Sequence, residues 1–392
     1  MDERINTRSN KAINLVVATF TGAFTVMLLL SRPLWMQVRD FPLIPAFTQI
    51  DSPESDWLGY LLLLVLIVFL AGMNSRKLRQ FSAIGVLLTL LVFIVLDLSR
   101  LQAWVFMFVL MIFPFLANDI RSDKNREKIL ICLRLILVFT YFWSGFHKLN
   151  AHFIEGTFPW MLSGVGWLDF MDNQSFAWMV PFVEMGMGGL LAFKKTRKIG
   201  VLAIAFFHLF ILLLLGPLGH NWNLIVWPWN LLMVVLSFLL FWYAPFPHKG
   251  VPMIQRNLMT FKPAIIIVVI AGVMPFFHVF GKWDNNLSFS MYTGLGDEAV
   301  FYFSEKTDNC IPREYDKLIF GQRSDIAYLA IDDWALDEMK VPAYVNARYY
   351  KRLGKKWCSC LKNKEGAGIE ILRIKGRWKT DTEFVKIPCS DL

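Results

Sequence analysis

Eight ionisable residues lie within or at the ends of long apolar runs: Asp97, Arg100, Arg134, His147, Lys148, Glu184, His208 and His278. A charge in hydrocarbon is costly and normally faces a bundle interior or a wet cavity, so chemistry is sought first at these positions. The run Ile129–Asn150, ILICLRLILVFTYFWSGFHKLN, holds Arg134, His147 and Lys148. Arg134 and Lys148 are 14 residues apart, close to four turns at about 3.6 residues per turn, and share nearly one helix face. Ser144 sits one turn before Lys148, and Gly145 lets another helix or a ligand approach closely. Lys148 has two readings. Its stem can snorkel to the membrane interface. Alternatively, burial among Phe142, Trp143 and Phe146 disfavours the ammonium, and a neutral amine in a dry pocket can take a proton from a hydroxyl.

The remaining polar positions fill out a candidate site. Glu184 lies in VEMGMGG, where Gly186, Gly188 and Gly189 suit close helix contact. It can pair with Arg134 as a structural ion pair, orient a polar ligand or relay protons. Asp97 and Arg100, one turn apart, can pair with each other. His208 sits in mid-run, where a hydrogen-bonded structural role competes with ligand binding. His220 precedes Asn221, Trp222 and Asn223, a polar and aromatic cluster on the same side as Lys148. The ligand-binding candidates are therefore Trp143, Ser144, Asn150, Glu184, His208, His220, Asn223 and Arg134, with Lys148 and His147 as catalytic candidates. No H-E-x-x-H, G-x-S-x-G or phosphate-cradling loop occurs, so hydrolase and nucleotide-binding readings have no support, and no metal is expected.

The elements that must position these residues are membrane spans. The chain is 56% hydrophobic and 18% charged, with 35 Phe and 15 Trp, and soluble domains carry about 25% charge. Apolar runs near 13–30, 57–73, 81–98, 101–117, 129–148, 175–193, 199–216, 222–243 and 263–281 predict about nine helices, since a span needs about 20 apolar residues and lipid offers a bare backbone no partner. The expected fold is an all-α polytopic bundle over 1–281 with a small α+β domain over 282–392. Ile13–Leu30 is too long for a signal-peptide core and lacks a clear small-residue cleavage site, so it reads as a retained span.

The formal charge of +9 does not signal nucleic acid: residues 1–281 hold 22 Lys and Arg against 14 acids, and residues 282–392 hold 18 against 17. The excess sits in alternate loops. Arg4, Arg8 and Lys11 precede the first run, and later clusters are Arg76, Lys77 and Arg79; Arg121, Lys124, Arg126 and Lys128; Lys194, Lys195, Arg197 and Lys198; and Lys249, Arg256 and Lys262. The intervening loops carry only Arg32, Arg39 and Arg100. Positive-inside logic places the N-terminus in the cytoplasm and, with nine spans, the C-terminal domain outside a plasma or inner membrane. Trp160, Trp167, Trp222, Trp227 and Trp229 on the outer side form an aromatic belt or line a flat apolar ligand site.

After Gly281, charges become frequent and mixed. Ala299–Phe303, Ile326–Ile331 and Ile369–Ile374 predict strands, and Pro342–Lys355 predicts a helix. Cys310, Cys358, Cys360 and Cys389 fall here, and an even number on an oxidising face suggests disulfides. A Cys358–Cys360 bridge would be tight, which favours pairing each with Cys310 or Cys389. Cys132, within a span, reads as packing.

The segment Tyr141–Gly156, YFWSGFHKLNAHFIEG, resembles the signature of the vitamin K-dependent γ-carboxylase/HTTM superfamily, through Ser144-Gly145, Lys148-Leu149-Asn150, Phe153 and Glu155-Gly156. DoxX-like membrane proteins share a shorter Gly-x-x-Lys-Leu version, and Asp97–Phe106 resembles a segment that precedes this helix in the wider group. The resemblance implies a bundle over most of 1–281, a reduced quinone such as vitamin K hydroquinone as cofactor, and Lys148 as the base that deprotonates it. His147 stands where the carboxylase has a second lysine, and the chain lacks that enzyme's large lumenal substrate-recognition region. Three expectations follow: a quinol-dependent enzyme, a DoxX-like quinone-linked accessory subunit, or a non-enzymatic scaffold or maturation factor for an exported peptide or protein. The bilayer is a partner in all three.

Overall fold

The computed structural model describes residues 2–50, 53, 55–117, 123–172, 174–246, 260–304, 310–321 and 326–392. Arg121, Lys249 and Arg256 of the charge alternation lie outside the described residues, as do the side chains of Arg4 and Lys124.

Among the described residues, seven helices are long and apolar enough to cross a membrane: Thr7–Leu30, Arg79–Leu96, Asn125–His147, Gln174–Ala192, Arg197–Leu215, Val226–Tyr243 and Lys262–Phe280. The expected count of about nine is therefore not confirmed. The other two apolar runs give shorter helices, Asp56–Gly72 with 17 residues and Ala103–Leu116. The second loses α-helical geometry after Ile112 and closes as a 3-10 turn over Phe113–Leu116, where Pro114 contributes no amide hydrogen. The chain is thus a multi-pass helical membrane protein with a small C-terminal sheet domain.

The chain divides into two compact units: 1–29, 64–90 and 103–294 in the first, and 30–63, 91–102 and 295–392 in the second. In the first, the helix Asp123–His147 is central: 89% of its apolar window is buried, against 56% or less for every other span. It packs most extensively against Gln174–Ala192, and small residues make the approach possible. A Cβ on Gly145 would lie 2.6 Å from Pro181 O, and one on Gly188 2.9 Å from Val138 O. Gly186 and Gly189 face open space instead, so of the three glycines of VEMGMGG only Gly188 sits at the helix contact. Cys132 is buried and unbridged.

In the second unit, five antiparallel strands run in the order β2-β3-β1-β4-β5: β1 Glu298–Ser304, β2 Ile319–Phe320, β3 Ile326–Ala330, β4 Gly368–Ile374 and β5 Thr382–Pro388. Phe301 stands opposite Leu329 on β3 and Ile369 on β4, and all three are fully buried. They form one face of the sheet, as the two-residue side-chain period requires. Trp357 of the helix Ala347–Cys360 stacks on Phe301 at 4.3 Å between ring centres. That helix begins later than the expected Pro342, because Asn346 is extended and its side chain accepts from Arg348 N, an N-cap. The helix Ile331–Met339 and strands β2 and β5 were not anticipated. The disulfides are Cys310–Cys360 and Cys358–Cys389, so each cysteine of the C-x-C pair bridges to a distant partner.

Candidate functional site

The centre of the candidate site is an ion pair between two helices. Lys148 Nζ donates to Glu184 Oε2 at 2.8 Å and to Ser144 Oγ at 2.8 Å. The two charged side chains are 9% and 6% exposed. Ser144 is placed one turn below Lys148 by the helix itself. Glu184 arrives because Gly145 and Gly188 let the Gln174–Ala192 helix close on this segment. The expected Glu184–Arg134 pair does not form. Arg134 is turned to the opposite end of the bundle, where Nε donates to Leu240 O at 2.8 Å and Nη2 to Pro245 O at 2.6 Å. Its guanidinium lies 4.8 Å from the Phe246 ring centre. The Phe238–Tyr243 stretch is π-helical, and Arg134 satisfies carbonyls at this helix end, as cations at helix C-termini do. The 14-residue spacing was sound, but that distance separates the two groups instead of uniting them.

One turn further along, a second polar chain crosses three helices. Tyr141 Oη bonds His208 Nε2 at 2.7 Å, and His208 Nδ1 bonds Asn230 Oδ1 at 2.6 Å. Asn230 Nδ2 donates to Val226 O, which fixes its oxygen toward the histidine. His208 Nδ1 is therefore the donor, and Nε2 accepts from the tyrosine hydroxyl. Both ring nitrogens of His208 are thus hydrogen-bonded within the bundle. Tyr141 and Asn230 were absent from the sequence-derived site. Tyr141 was visible in principle, since it lies three residues before Ser144 and seven before Lys148 on one helix face. Asn230, like Thr140 and Ser237, is a polar residue in an apolar run, and no spacing rule distinguishes it.

The other predicted residues divide. His147 is fully buried; its ring packs at 5.7 Å on Trp143 and edge-on to His278 at 4.9 Å. Trp143 Nε1 donates to Gly272 O at 3.2 Å. Asn150 Oδ1 accepts from Phe153 N, and its amide donates to His147 O and Thr293 O. It staples the turn that ends the helix. His220 stacks on Trp160 at 4.6 Å between ring centres and bonds Trp160 O at 2.6 Å. Asn223 adopts a left-handed φ of 47° and accepts from Ile225 N, an Asx turn. His220 and Asn223 thus find partners in the surrounding loops and aromatic shell, not in the Lys148 cluster.

A separate charged cluster belongs to the second unit. Asp97 accepts from Arg39 at 2.6 Å and lies 3.9 Å from Arg100, so the expected Asp97–Arg100 neighbours are joined by a closer third member. Asp97 also accepts from Ile44 N and Ser99 N. Arg100 donates to Leu34 O, Phe93 O and Met36 O. Both charges are satisfied by backbone, the pattern of a structural clamp.

Residues 126–244 match the family methylamine utilisation protein MauE, a membrane family. The match corrects the resemblance drawn from Tyr141–Gly156: neither the HTTM/γ-carboxylase group nor DoxX proteins match, and carboxylase-type chemistry is not supported. The matched stretch contains Lys148, Ser144, Glu184, Tyr141, His208 and Asn230, that is, both polar chains. No curated protein and no solved structure matches the chain.

Proposed function

We propose that this chain is an accessory membrane protein for the maturation of an exported partner, with its C-terminal domain on the extracytoplasmic side and its intramembrane polar chains serving to lock the bundle. The observation that carries the reading is the Lys148–Glu184 pair. The amine is held by a carboxylate and a hydroxyl at 2.8 Å each, the geometry of an ammonium bonded to its counter-ion. Two protein partners on one buried amine is the arrangement of a structural ion pair between helices. The extracytoplasmic placement is supported by the two disulfides, which persist in oxidising compartments, and by the loop charges, among which Lys194, Lys195, Arg197 and Lys198 cluster between two spans. The match over 126–244 supports a role in methylamine utilisation, as that family's name gives it.

The test is deletion of the gene in its native host, with growth on methylamine as readout. Wild type, a Lys148→Met/Glu184→Met double variant and a chain lacking 295–392 are supplied in turn. The reading expects rescue by wild type and by the folded double variant, and none by the truncated chain. Loss of rescue with a well-folded double variant would transfer the function to the Lys148–Glu184 pair. Unimpaired growth of the deletion strain would remove the link to methylamine.

A further inference from the structure

The helix Ala347–Cys360, ARYYKRLGKKWCSC, carries five cations, Arg348, Lys351, Arg352, Lys355 and Lys356, and no acidic residue. Its apolar face, Tyr349, Tyr350, Leu353, Trp357 and Cys358, is buried in the domain. Arg348, Lys351, Lys355 and Lys356 remain exposed. The domain as a whole is nearly neutral, so this is a segregation of charge and not a general basicity. The nearby helix Ile331–Met339 carries the opposite sign, with Asp332, Asp333, Asp337 and Glu338.

The position of this face is fixed by contacts within its own unit. Arg352 Nη1 lies 3.5 Å from Ala46 O and Lys356 Nζ 3.4 Å from Leu43 O. The same short loop is joined to the end of the Arg79–Leu96 span: Ala46 N donates to Val95 O at 2.9 Å, and Leu98 N donates to Ile44 O at 2.8 Å. The cationic helix is therefore tied, through this loop, to the Leu96 end of that span. Two exposed aromatic residues mark the same level, Phe47 beside Ala46 and Trp57 at the start of the Asp56–Gly72 helix, 58% and 66% exposed. Rings at that height are the belt expected at headgroup depth. Cations on long stems beside such a belt meet lipid phosphates.

We propose that the cationic face of the Ala347–Cys360 helix is a binding surface for anionic phospholipid headgroups in the leaflet at the Leu96 end of the Arg79–Leu96 span. The occupant is a lipid because the surface is tied to the end of a span and flanked by interfacial aromatics. An acidic protein would need neither.

The experiment uses the full chain in nanodiscs of phosphatidylcholine with a minor fraction of phosphatidylglycerol, followed by extraction and quantification of co-purifying lipid. Wild type is expected to retain phosphatidylglycerol above its bulk fraction. An Arg348→Gln/Lys351→Gln/Lys355→Gln variant is expected to lose at least fivefold of that enrichment, since each cation near an anionic surface contributes about fivefold in binding. Lys375→Gln/Lys379→Gln, on the β4–β5 hairpin, keeps the enrichment, as does the charge-preserving Lys351→Arg/Lys355→Arg; both disulfides intact by mass spectrometry certify each fold. No enrichment in wild type, or equal enrichment in the triple variant, overturns the proposal. Capture of a poly-glutamate peptide by discs of neutral lipid, lost in the triple variant and without phosphatidylglycerol enrichment, also overturns it and assigns the face to an acidic protein.

Discussion

Removing one member of the Lys148–Glu184 pair leaves the other charge buried without its counter-ion. At 9% and 6% exposure, neither group can recover its hydration by a small movement. Breaking a buried pair this way costs about 3–5 kcal/mol in soluble proteins, whereas replacing both members with apolar side chains of similar size is often near neutral. Ser144 still accepts one bond from Lys148 when Glu184 is lost, which places Glu184→Met toward the low end of that range. Lys148→Met strands the carboxylate and falls at the high end. The double variant is then expected to be more stable than either single one, with a coupling of about 2 kcal/mol or more. Neutral hydrogen bonds between membrane helices average only about 0.6 kcal/mol, so the cycle separates an ionic lock from an ordinary polar contact. The assay is reversible unfolding in mixed micelles followed by tryptophan fluorescence for wild type, both single variants and the double. Additive effects, or a coupling near 0.6 kcal/mol, would refute the lock.

Three further outcomes follow from other contacts. Gly145→Val drives side-chain atoms into Pro181 O and Met185 N, 2.6 and 2.7 Å from its Cβ position, and is expected to lower bundle stability by about 1–3 kcal/mol; Gly186→Ala, with nothing within 4 Å, changes the same melt little. Burial, with Glu298 and Asp333 adding repulsion, pushes the Asp332 carboxyl up to about 7, against the opposing bond from Ala343 N. The folded state then holds this proton more tightly than the unfolded chain, whose carboxyl titrates near about 3.9. Asp332 therefore withdraws stability as pH rises from about 4 to about 7; hydrogen-exchange protection of β1, β3 and β4 should fall over that interval, and Asp332→Asn should flatten the fall. Cys358→Ser/Cys389→Ser opens a bridge between residues 31 apart in sequence and is expected to cost about 3 kcal/mol; in intact cells, wild type should take up a thiol reagent at these positions only after reduction.

Much of the architecture was written in composition. Twenty apolar residues in succession have few stable states other than a span, so the helices over 129–148, 175–193 and 199–216 follow from hydropathy alone. A separate C-terminal domain was legible in the return of charge after Gly281, but the strain of a Cys358–Cys360 bridge left two disulfide pairings open, and only the fold selects Cys310–Cys360 with Cys358–Cys389. Span count was less legible: 57–73 and 101–117 are apolar, yet one is 17 residues long and the other breaks at Pro114. The strand over 382–388 was missed because Glu383 and Lys386 interrupt its short apolar stretches at the sheet edge, and its assignment depends on pairing with β4. That Lys148, Ser144 and Glu184 must find partners was visible, because polar atoms in hydrocarbon need them. Which partners they take was not. Helical periodicity gives faces along one helix, and it put Arg134 and Lys148 on the same one. Only packing, through the bare backbone at Gly145 and Gly188, decided that Glu184 meets Lys148 while Arg134 turns to the carbonyls of Leu240 and Pro245. A partner on another helix is fixed by the approach of two backbones, and that approach is a tertiary property that no single run of residues contains.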